Sequence, residues 1–202
     1  MFTGIVAAVG HITSITPLGE TDAGMRLTID AGLLPLADVA LGDSIAINGA
    51  CMTVVEKSDR QFVVDVSRES LNRTAGLDRK GEVNLEKALT LADRLGGHLV
   101  SGHVDGLGIV SKFEPVGESW ELVVAAPKEL GKYFAYKGSV VVNGVSLTVN
   151  RVTDMSQGCE FSINLIPHTI QVTTLRHLKV GDKVNLEVDL IARYVERMLS
   201  AK

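Results

Sequence analysis

Small polar side chains able to bind or activate a substrate occur twice in this chain, in the same order. Cys51 is the fourth residue of the run NGACMTV at 48–54, and Ser146 is the fourth residue of NGVSLTV at 143–149. A thiol is a good nucleophile when a base activates it, but no histidine is close to Cys51 in sequence. The sequence therefore leaves Cys51 open between a small buried thiol and a reactive group.

A histidine breaks the same repeat at another position. The run TGIV at 3–6 returns as SGHV at 101–104, so that His103 stands where the first half has Ile5. Imidazole exchanges protons near neutral pH, which makes His103 a candidate for proton transfer. An ordinary surface histidine beside a turn is the alternative interpretation. The repeated runs bring hydroxyls and backbone amides together, and such groups can hydrogen-bond a flat polar heterocycle.

Other common chemical motifs are missing from the sequence. The histidines and cysteines lack the close-pair spacing of metal ligands. The glycine-rich run GHVDGLG at 102–108 does not match the G-x-G-x-x-G fingerprint of dinucleotide binding, and no Walker loop occurs. We therefore expect no metal and no bound nucleotide.

The repeat extends over a whole domain. VNLE at 83–86 returns at 184–187, and all the repeated runs recur in order at a spacing of about one hundred residues. That spacing is too long for a solenoid unit and indicates a duplicated domain. We predict domains of residues 1–96 and 97–189, followed by a terminal segment of residues 190–202.

The composition is that of a soluble globular protein. The 202 residues are 46% hydrophobic and 22% charged, with a net charge of −4, which argues against a nucleic-acid surface. No apolar run is long enough to span a bilayer, and the N-terminus does not resemble a signal peptide. Cys51 and Cys159 are expected to be free thiols in a cytoplasmic protein.

Short strands dominate the predicted secondary structure. Alternating apolar and polar residues predict strands over 25–30, 44–47, 62–66 and 161–165, and Gly-containing turns such as Asn48-Gly49 and Asn143-Gly144 separate them. Each half offers about six strands, which favours a small closed barrel without exposed edges.

Few helices are predicted. Pro127 is suited to the first turn of a helix over 127–134, whose equivalent in the first half is 33–39. A third helix over 85–95 is expected to connect the halves and to end at Gly96-Gly97.

The terminal segment has an apolar stripe at helical spacing, formed by Leu190, Ile191, Tyr194, Val195, Met198 and Leu199. Two interpretations stay open at this point. The stripe packs on its own barrel, or it is a self-association helix.

Taken together, MFTGIV at 1–6, the two Asn-Gly runs and GGHLVSGHVD at 96–105 resemble the riboflavin synthase family, alpha-chain type. The resemblance runs from the first residue to the terminal helix. It implies an all-β fold of two tandem six-stranded closed Greek-key barrels with pseudo-twofold symmetry, and a C-terminal helix that assembles a homotrimer.

The resemblance also implies an activity. Two molecules of 6,7-dimethyl-8-ribityllumazine react by four-carbon transfer to give riboflavin and 5-amino-6-(D-ribitylamino)uracil, without cofactor or metal. One lumazine binds to each barrel, and a site joins the N-barrel of one subunit to the C-barrel of the next. Association with lumazine synthase is also implied, and no nucleic acid or membrane partner.

Site residues follow from the same resemblance. Catalytic roles are implied for Phe2, Ser44, Cys51, His103 and Asp189. Substrate binding in the first barrel is implied for Gly4, Ile5, Val6, Cys51, Met52, Thr53, Asp65, Val66, Ser67, Arg68, Glu69 and Ser70. Substrate binding in the second barrel is implied for Gly102, His103, Val104, Lys137, Ser146, Leu147, Thr148, Leu165, Ile166, Pro167, His168, Thr169 and Ile170. An acidic position of some members falls on Asn143, which cannot act as a base.

A non-catalytic lumazine- or flavin-binding protein of the same fold is the alternative. Such relatives tend to lose one working pocket, whereas here both halves keep the glycine, the Asn-Gly turn and the threonine of the following strand. A flavin-dependent reductase would need an α/β nucleotide-binding domain, for which the chain has no room.

Overall fold

The computed structural model describes residues 1–20 and 23–201, which form two closed six-stranded antiparallel barrels followed by a helix. The first barrel consists of β1 (Ala8–Pro17), β2 (Met25–Asp30), β3 (Ser44–Ile47), β4 (Ala50–Lys57), β5 (Gln61–Val66) and β6 (Gly81–Lys87). The second consists of β7 (Gly106–Val116), β8 (Ser119–Ala126), β9 (Ser139–Val142), β10 (Val145–Met155), β11 (Gly158–Leu165) and β12 (Lys183–Val188). The predicted fold class is confirmed.

Both barrels have the same strand order. The first is β1-β2-β5-β4-β3-β6 and the second is β7-β8-β11-β10-β9-β12, with the first and last strand of each order paired. Each barrel also bulges at equivalent places, between Ile12 and Ser14 and between Val110 and Lys112. A bulge bends its strand, and repeated bulges help a short sheet to curl closed.

Each barrel has its own apolar core. Leu27, Ile45 and Phe62 are fully buried in the first, and Val124 and Phe161 are fully buried in the second. The alternation of apolar and polar residues along each strand places one set of side chains inside and the other outside. The predicted strands are thus confirmed, with small extensions at their ends.

In the described residues, four short helices lie between strands, and a longer one follows the last strand. They are α1 (Arg68–Arg73), α2 (Lys128–Gly131), α3 (Pro167–Val172), a 3₁₀ helix (Thr174–His177) and the terminal α4 (Leu190–Ser200). The predicted helix over 127–134 is shorter than expected, and Pro127 is its N-cap rather than its first residue.

Two predicted helices are wrong. Residues 33–39 form turns, because Pro35 disfavours helix at the residue before it and Leu34, Leu36 and Val39 are buried against the barrel end. Residues 85–87 belong to β6, which pairs with both β1 and β3, and residues 88–99 form an irregular connection. The strong sheet partners of Leu85 outweigh the helical propensity of the sequence that follows it.

Reciprocal asparagine contacts join the two barrels. Asn48 Oδ1 accepts from the Asn84 amide at 2.9 Å, and Asn143 Oδ1 accepts from the Asn185 amide at 2.8 Å. The side-chain amides then cross over, since Asn84 Nδ2 donates to the Asn143 carbonyl at 2.8 Å and Asn185 Nδ2 to the Asn48 carbonyl at 2.9 Å. Each contact is repeated with the halves exchanged, as pseudo-twofold symmetry requires.

The Asn-Gly turns meet at this interface, where Asn48 and Asn143 also line a shared depression of the surface. Gly49 and Gly144 both have positive φ, and a Cβ on either would lie 2.8 Å from the backbone nitrogen of the other. Only glycine permits both the left-handed backbone and this close approach. The repeated Asn-Gly and VNLE runs therefore hold the barrels together, and Asn143 has the same packing role as Asn48.

Candidate active site

Two chain segments cross between the barrels. Phe2 and Val100 exchange backbone hydrogen bonds of 2.7 and 3.0 Å in an isolated antiparallel bridge. Beyond the bridge, Gly4 accepts from the Ser146 amide at 2.7 Å, and Gly102 accepts from the Cys51 amide at 2.8 Å. We call residues 2–6 and 100–104 the crossing segments. Each begins one half of the chain and reaches the open end of the other barrel.

This crossing corrects the assignment of the pockets. Val6 packs on the core of the second barrel, and Val104 packs on the core of the first. Gly4, Ile5 and Val6 therefore belong with the second-barrel residues, and Gly102, His103 and Val104 with the first-barrel residues. The sequence assigned each segment to its own half because nothing local indicates the exchange.

A buried carboxylate anchors each crossing segment. Glu86 accepts from Thr3 N and Thr3 Oγ1 at 2.7 Å each and from Gly4 N at 2.9 Å. Glu187 binds Ser101 N, Ser101 Oγ and Gly102 N in the same way, at 2.6, 2.7 and 3.0 Å. Burial raises the pKa of both carboxyl groups, and these hydrogen bonds oppose the rise. Both glutamates end the repeated VNLE run. The repeat of an acidic residue at this position was the sequence feature that could have indicated these anchors.

The first-barrel pocket is a cavity of 210 Å³. It is lined by Cys51 and Met52 from β4, by Ser70 from α1, and by His103 and Val104 from the second crossing segment, among others. The structure thus brings His103 to the same cavity as Cys51. In the described part of the chain, the Cys51 thiol has no hydrogen-bond partner of its own.

The second-barrel position equivalent to Cys51 has a different environment. Ser146 Oγ lies 2.7 Å from Nδ1 of His98, a residue to which the sequence assigned no role. The His98 amide donates to the Thr3 carbonyl at 3.1 Å, which holds the histidine beside the first crossing segment. Burial lowers the pKa of His98, and the Asp189 carboxylate opposes this shift. The ring is therefore mostly neutral at pH 7.

The other three residues with an implied catalytic role do not line the Cys51 cavity, although Cys51 packs against the buried cluster that contains Phe2. Phe2 is fully buried between the barrels with Ala46, Val100 and Val141, where its ring lies beneath Gly102. Ser44 lines a larger depression of 700 Å³ with Ile5, which contains neither Cys51 nor His103. Asp189 caps α4 by accepting from the Ile191 amide at 2.8 Å. Their catalytic roles stay predictions.

The implied binding residues of the first-barrel turn have several local functions. Ser67 Oγ caps α1 by accepting from the Ser70 amide at 3.0 Å, and Asp65 pairs with Arg26 at 2.7 Å. Glu69 pairs with Arg73, and Arg68 donates to the Ala23 carbonyl. Val66 is buried in the core, so only its backbone is available to a ligand.

The equivalent residues of the second barrel are arranged similarly. Pro167 begins α3, beside exposed Ile166 and His168, and the Thr169 carbonyl accepts from Thr173 at 2.7 Å. Leu165 is buried, whereas Leu147 and Ile170 are half-buried against the core. Thr53 and Thr148 are exposed at matching positions of β4 and β10. Lys137 has positive φ and donates to Asn150 Oδ1 at 2.9 Å.

Metal ligands and membrane spans are not found in the described residues. No group of three or more His, Cys, Asp or Glu side chains there is arranged to hold a metal ion. None of the helices within residues 1–20 and 23–201 is long and apolar enough to cross a bilayer.

Sequence comparison matches both halves to one domain family. The model of the lumazine-binding domain matches residues 3–88 and 101–189. A riboflavin synthase from Photobacterium phosphoreum is 47% identical over 201 residues, spanning 98% of this chain and 89% of that protein. A riboflavin synthase from Mycobacterium bovis is 47% identical over 203 residues, spanning 98% of both chains.

Structure comparison agrees. LumP in complex with riboflavin superposes with a TM-score of 0.78 at 27% identity, covering 93% of this chain and 99% of the LumP chain. LumP in complex with 6,7-dimethyl-8-(1'-D-ribityl)lumazine superposes with a TM-score of 0.76 at 25% identity. The chain therefore belongs to the riboflavin synthase family and is built from two lumazine-binding domains.

Proposed function

We propose that the protein converts two molecules of 6,7-dimethyl-8-ribityllumazine to riboflavin and 5-amino-6-(D-ribitylamino)uracil. The observation that carries this proposal is the reciprocal construction of the two pockets. Each barrel end places a small thiol or hydroxyl group, Cys51 or Ser146, against the backbone of a crossing segment. Two equivalent pockets suit a reaction in which donor and acceptor are the same compound.

The reaction depends mainly on how the two lumazine rings are positioned. Holding two rings face to face turns an encounter between separate molecules into an effectively intramolecular reaction. The remaining steps are proton removal from an acidified methyl group, addition to an electron-poor ring, and eliminations, which need general acid–base help. Cys51 and His103 in one cavity, and Ser146 with His98 at the other barrel, are groups able to give that help.

A productive site is proposed to form between the N-barrel of one subunit and the C-barrel of the next. The 210 Å³ cavity beside Cys51 is smaller than the roughly 300 Å³ or more of typical complete ligand sites. Ser44 and Cys51 also line different cavities of one chain. A facing barrel from a second subunit would enlarge the enclosed space and add its own polar groups.

The proposed assembly is a homotrimer formed through α4. No residue of α4 is buried in the single chain, and Ile191, Tyr194 and Met198 are each more than 60% exposed. The polar side of the helix contacts its own barrel instead, through Arg193 to Asp105 at 2.7 Å and Glu196 to Lys132 at 2.6 Å. This favours the self-association interpretation of the stripe.

Further parts of the proposal follow the family. The domains are taken as residues 1–96, 97–189 and the helical segment 190–202. The protein is proposed to act in the cytoplasm and to associate with lumazine synthase. Phe2, Ser44, Cys51, His103 and Asp189 are proposed to contribute to catalysis, Phe2 through packing beneath Gly102.

The direct test is incubation of the purified protein with the lumazine alone. Riboflavin and the uracil product are expected in equal amounts, measured by chromatography with fluorescence and absorbance detection. Bound lumazine that is not converted to riboflavin would refute the proposed activity and favour a binding protein.

Subunit mixing tests the shared site. Thr53→Arg and Thr148→Arg place a bulky cation at matching exposed positions of the first and second barrel. Each variant alone is expected to be inactive. After the two are unfolded and refolded together, about one site in four would combine two intact barrels by random assembly. Activity that stays at the level of the separate variants would contradict a site shared between subunits.

A further inference from the structure

The second barrel contains a serine–histidine pair that has no equivalent among the described residues of the first. Ser146 Oγ and His98 Nδ1 are 2.7 Å apart, the distance of a good hydrogen bond. Ser146 is fixed from its backbone by the 2.7 Å bond to the Gly4 carbonyl. His98 is fixed by its own amide, which donates to the Thr3 carbonyl. Both partners are thus held by the same crossing segment.

Two glycines pack closely against the Ser146 side chain. A Cβ on Gly97 would lie 2.9 Å from both Cβ and Oγ of Ser146, and a Cβ on Gly4 would lie 2.6 Å from Ser146 Cβ. Two glycines therefore let the backbone of both segments close around this one side chain. The Ser146 side chain is thus closely packed on the sides that face Gly97 and Gly4.

The other ring nitrogen of His98 is unusual. Nε2 is buried and is the side-chain polar atom with no hydrogen-bond partner among the described buried residues. A buried donor without a partner is unfavourable, so such a group is kept where another requirement sets its position. If Nδ1 accepts from the Ser146 hydroxyl, the ring proton is on Nε2, where it has no acceptor among the described residues.

We propose that His98 is a positioning residue and proton acceptor for Ser146, which makes Ser146 a proton-transfer group of the second-barrel lumazine site. The proposal rests on the proposed function, since it assigns roles within that same site. Ser146 Oγ takes a proton from the bound lumazine as its own hydroxyl proton moves to His98 Nδ1. The electron pair of the broken C–H bond stays on the lumazine, and the imidazolium later returns the proton through Ser146.

The pair also separates the roles of the two barrels. Cys51 occupies the matching position of the first barrel, and in the described residues its thiol has no such hydrogen-bonded histidine. His103 shares its cavity but stays exposed. Two identical lumazine molecules would therefore meet different proton-transfer groups, which a reaction with one donor and one acceptor requires.

The kinetic test uses His98→Asn and Ser146→Ala. The asparagine Oδ1 can still accept from the Ser146 hydroxyl, but it cannot take up a proton. We expect both variants to lose kcat by about 100-fold or more while KM changes by less than about 3-fold. The double variant should be no slower than the single ones, because the two residues act as a unit. His11→Asn, on the exposed face of β1, is the control and should keep the wild-type rate.

The outcomes separate the possible roles. A wild-type kcat in His98→Asn would mean that His98 only positions the Ser146 hydroxyl and accepts no proton, which would overturn the proposal. Multiplying losses in the double variant would do the same, because the residues would then act independently. Riboflavin binding, followed by flavin fluorescence, shows that each variant keeps a folded site.

A second measurement does not depend on the riboflavin reaction. In Ser146→Cys, a proton-accepting His98 should convert the new thiol into a thiolate–imidazolium pair. We expect iodoacetamide to label position 146, located by peptide mass spectrometry, at least about 10-fold faster than in Ser146→Cys combined with His98→Asn. Equal labelling rates in the two proteins would overturn the proposal even if riboflavin is formed, and a rate difference would support it even if no riboflavin is formed.

Discussion

Glu86 and Gly4 are joined by a 2.9 Å hydrogen bond in which the buried carboxylate of β6 accepts from the backbone of the first crossing segment. Glu187 and Gly102 repeat the contact at 3.0 Å. Two internal carboxylates thus position the backbone that each half gives to the other barrel. The shape of both pockets therefore depends on these two buried carboxylates.

Replacing either anchor should destabilise the protein. In Glu86→Gln the side-chain amide nitrogen cannot accept from Gly4 or Thr3, which leaves a buried donor unpaired. We expect the free energy of unfolding to fall by about 1–3 kcal/mol, and likewise in Glu187→Gln. Urea unfolding followed by circular dichroism measures this, with exposed Glu118→Gln as the control. Equal stabilities for Glu86→Gln and Glu118→Gln would show that the carboxylate is not an anchor.

Gly97 should tolerate no side chain, in contrast to its neighbour. A Cβ at Gly97 would lie 2.2 Å from the Thr3 carbonyl oxygen, whereas a Cβ at Gly96 would meet only the Ile5 side chain at 3.4 Å. Gly97→Ala is expected to cost about 1–3 kcal/mol and to displace the first crossing segment. Hydrogen exchange of the Ser146 amide, whose acceptor is Gly4, should then speed up. Gly96→Ala should keep slow exchange at Ser146, and identical behaviour of the two variants would refute the steric argument.

The pH dependence of stability should contain a contribution from His98. Burial lowers its pKa in the folded protein below the value of 6.5, so the unfolded chain binds the proton more readily. Stability from the neutral ring is therefore present above pH 6.5 and is lost as the pH falls through the folded pKa. The wild type should lose stability relative to His98→Asn between pH 7 and pH 5, measured by urea unfolding at each pH. A stability difference that is independent of pH would show that the ring does not change charge on folding.

Much of the architecture was predictable because it is encoded locally. Alternation in segments such as Met25–Asp30 specifies strands, and the duplicated runs specify two similar domains. The exchange of the crossing segments was not predictable, because the Gly4–Ser146 contact joins residues far apart in sequence. The helix expected over 85–95 was wrong because both edges of β6 have sheet partners, which outweigh local propensity.

In the candidate site, too, locally visible features could be predicted and contacts between distant residues could not. Cys51, Ser146 and His103 were visible as differences between two copies of one pattern. His98 was overlooked because its partner is 48 residues away and its ring lacks a repeated equivalent. The Asn-Gly asparagines were interpreted as turn residues and the VNLE run only as part of the repeat, yet their asparagines make the reciprocal contacts between the barrels.

The contact between the barrels should depend on Asn185. Its side chain is 1% exposed, donates to the Asn48 and Ala75 carbonyls, and accepts from the Ala75 amide at 2.7 Å. Asn185→Ala removes all three bonds and should lower the free energy of unfolding by about 3 kcal/mol or more. Calorimetry should then resolve two transitions, as weakly coupled barrels unfold separately. Asn164→Ala, at an exposed position of β11, should behave as the wild type, and the same stability in Asn185→Ala would contradict this role.

The exposed side of α4 should control assembly and, through it, activity. Met198→Lys combined with Tyr194→Lys adds two charges to the apolar face but leaves the Asp189 cap and the Arg193–Asp105 pair intact. Because the helix then still docks on its own barrel, any change in assembly reflects its outer face. We expect sedimentation at the monomer mass of 21.6 kDa, with riboflavin formation reduced at least 10-fold because each site lacks its second barrel. Deletion of the residues after Asp189 should also give an inactive monomer. The control Arg197→Gln should leave both mass and activity unchanged. A fully active monomer would exclude a shared site, whereas an intact trimer of the double variant would exclude the Tyr194–Met198 face of α4 as the interface.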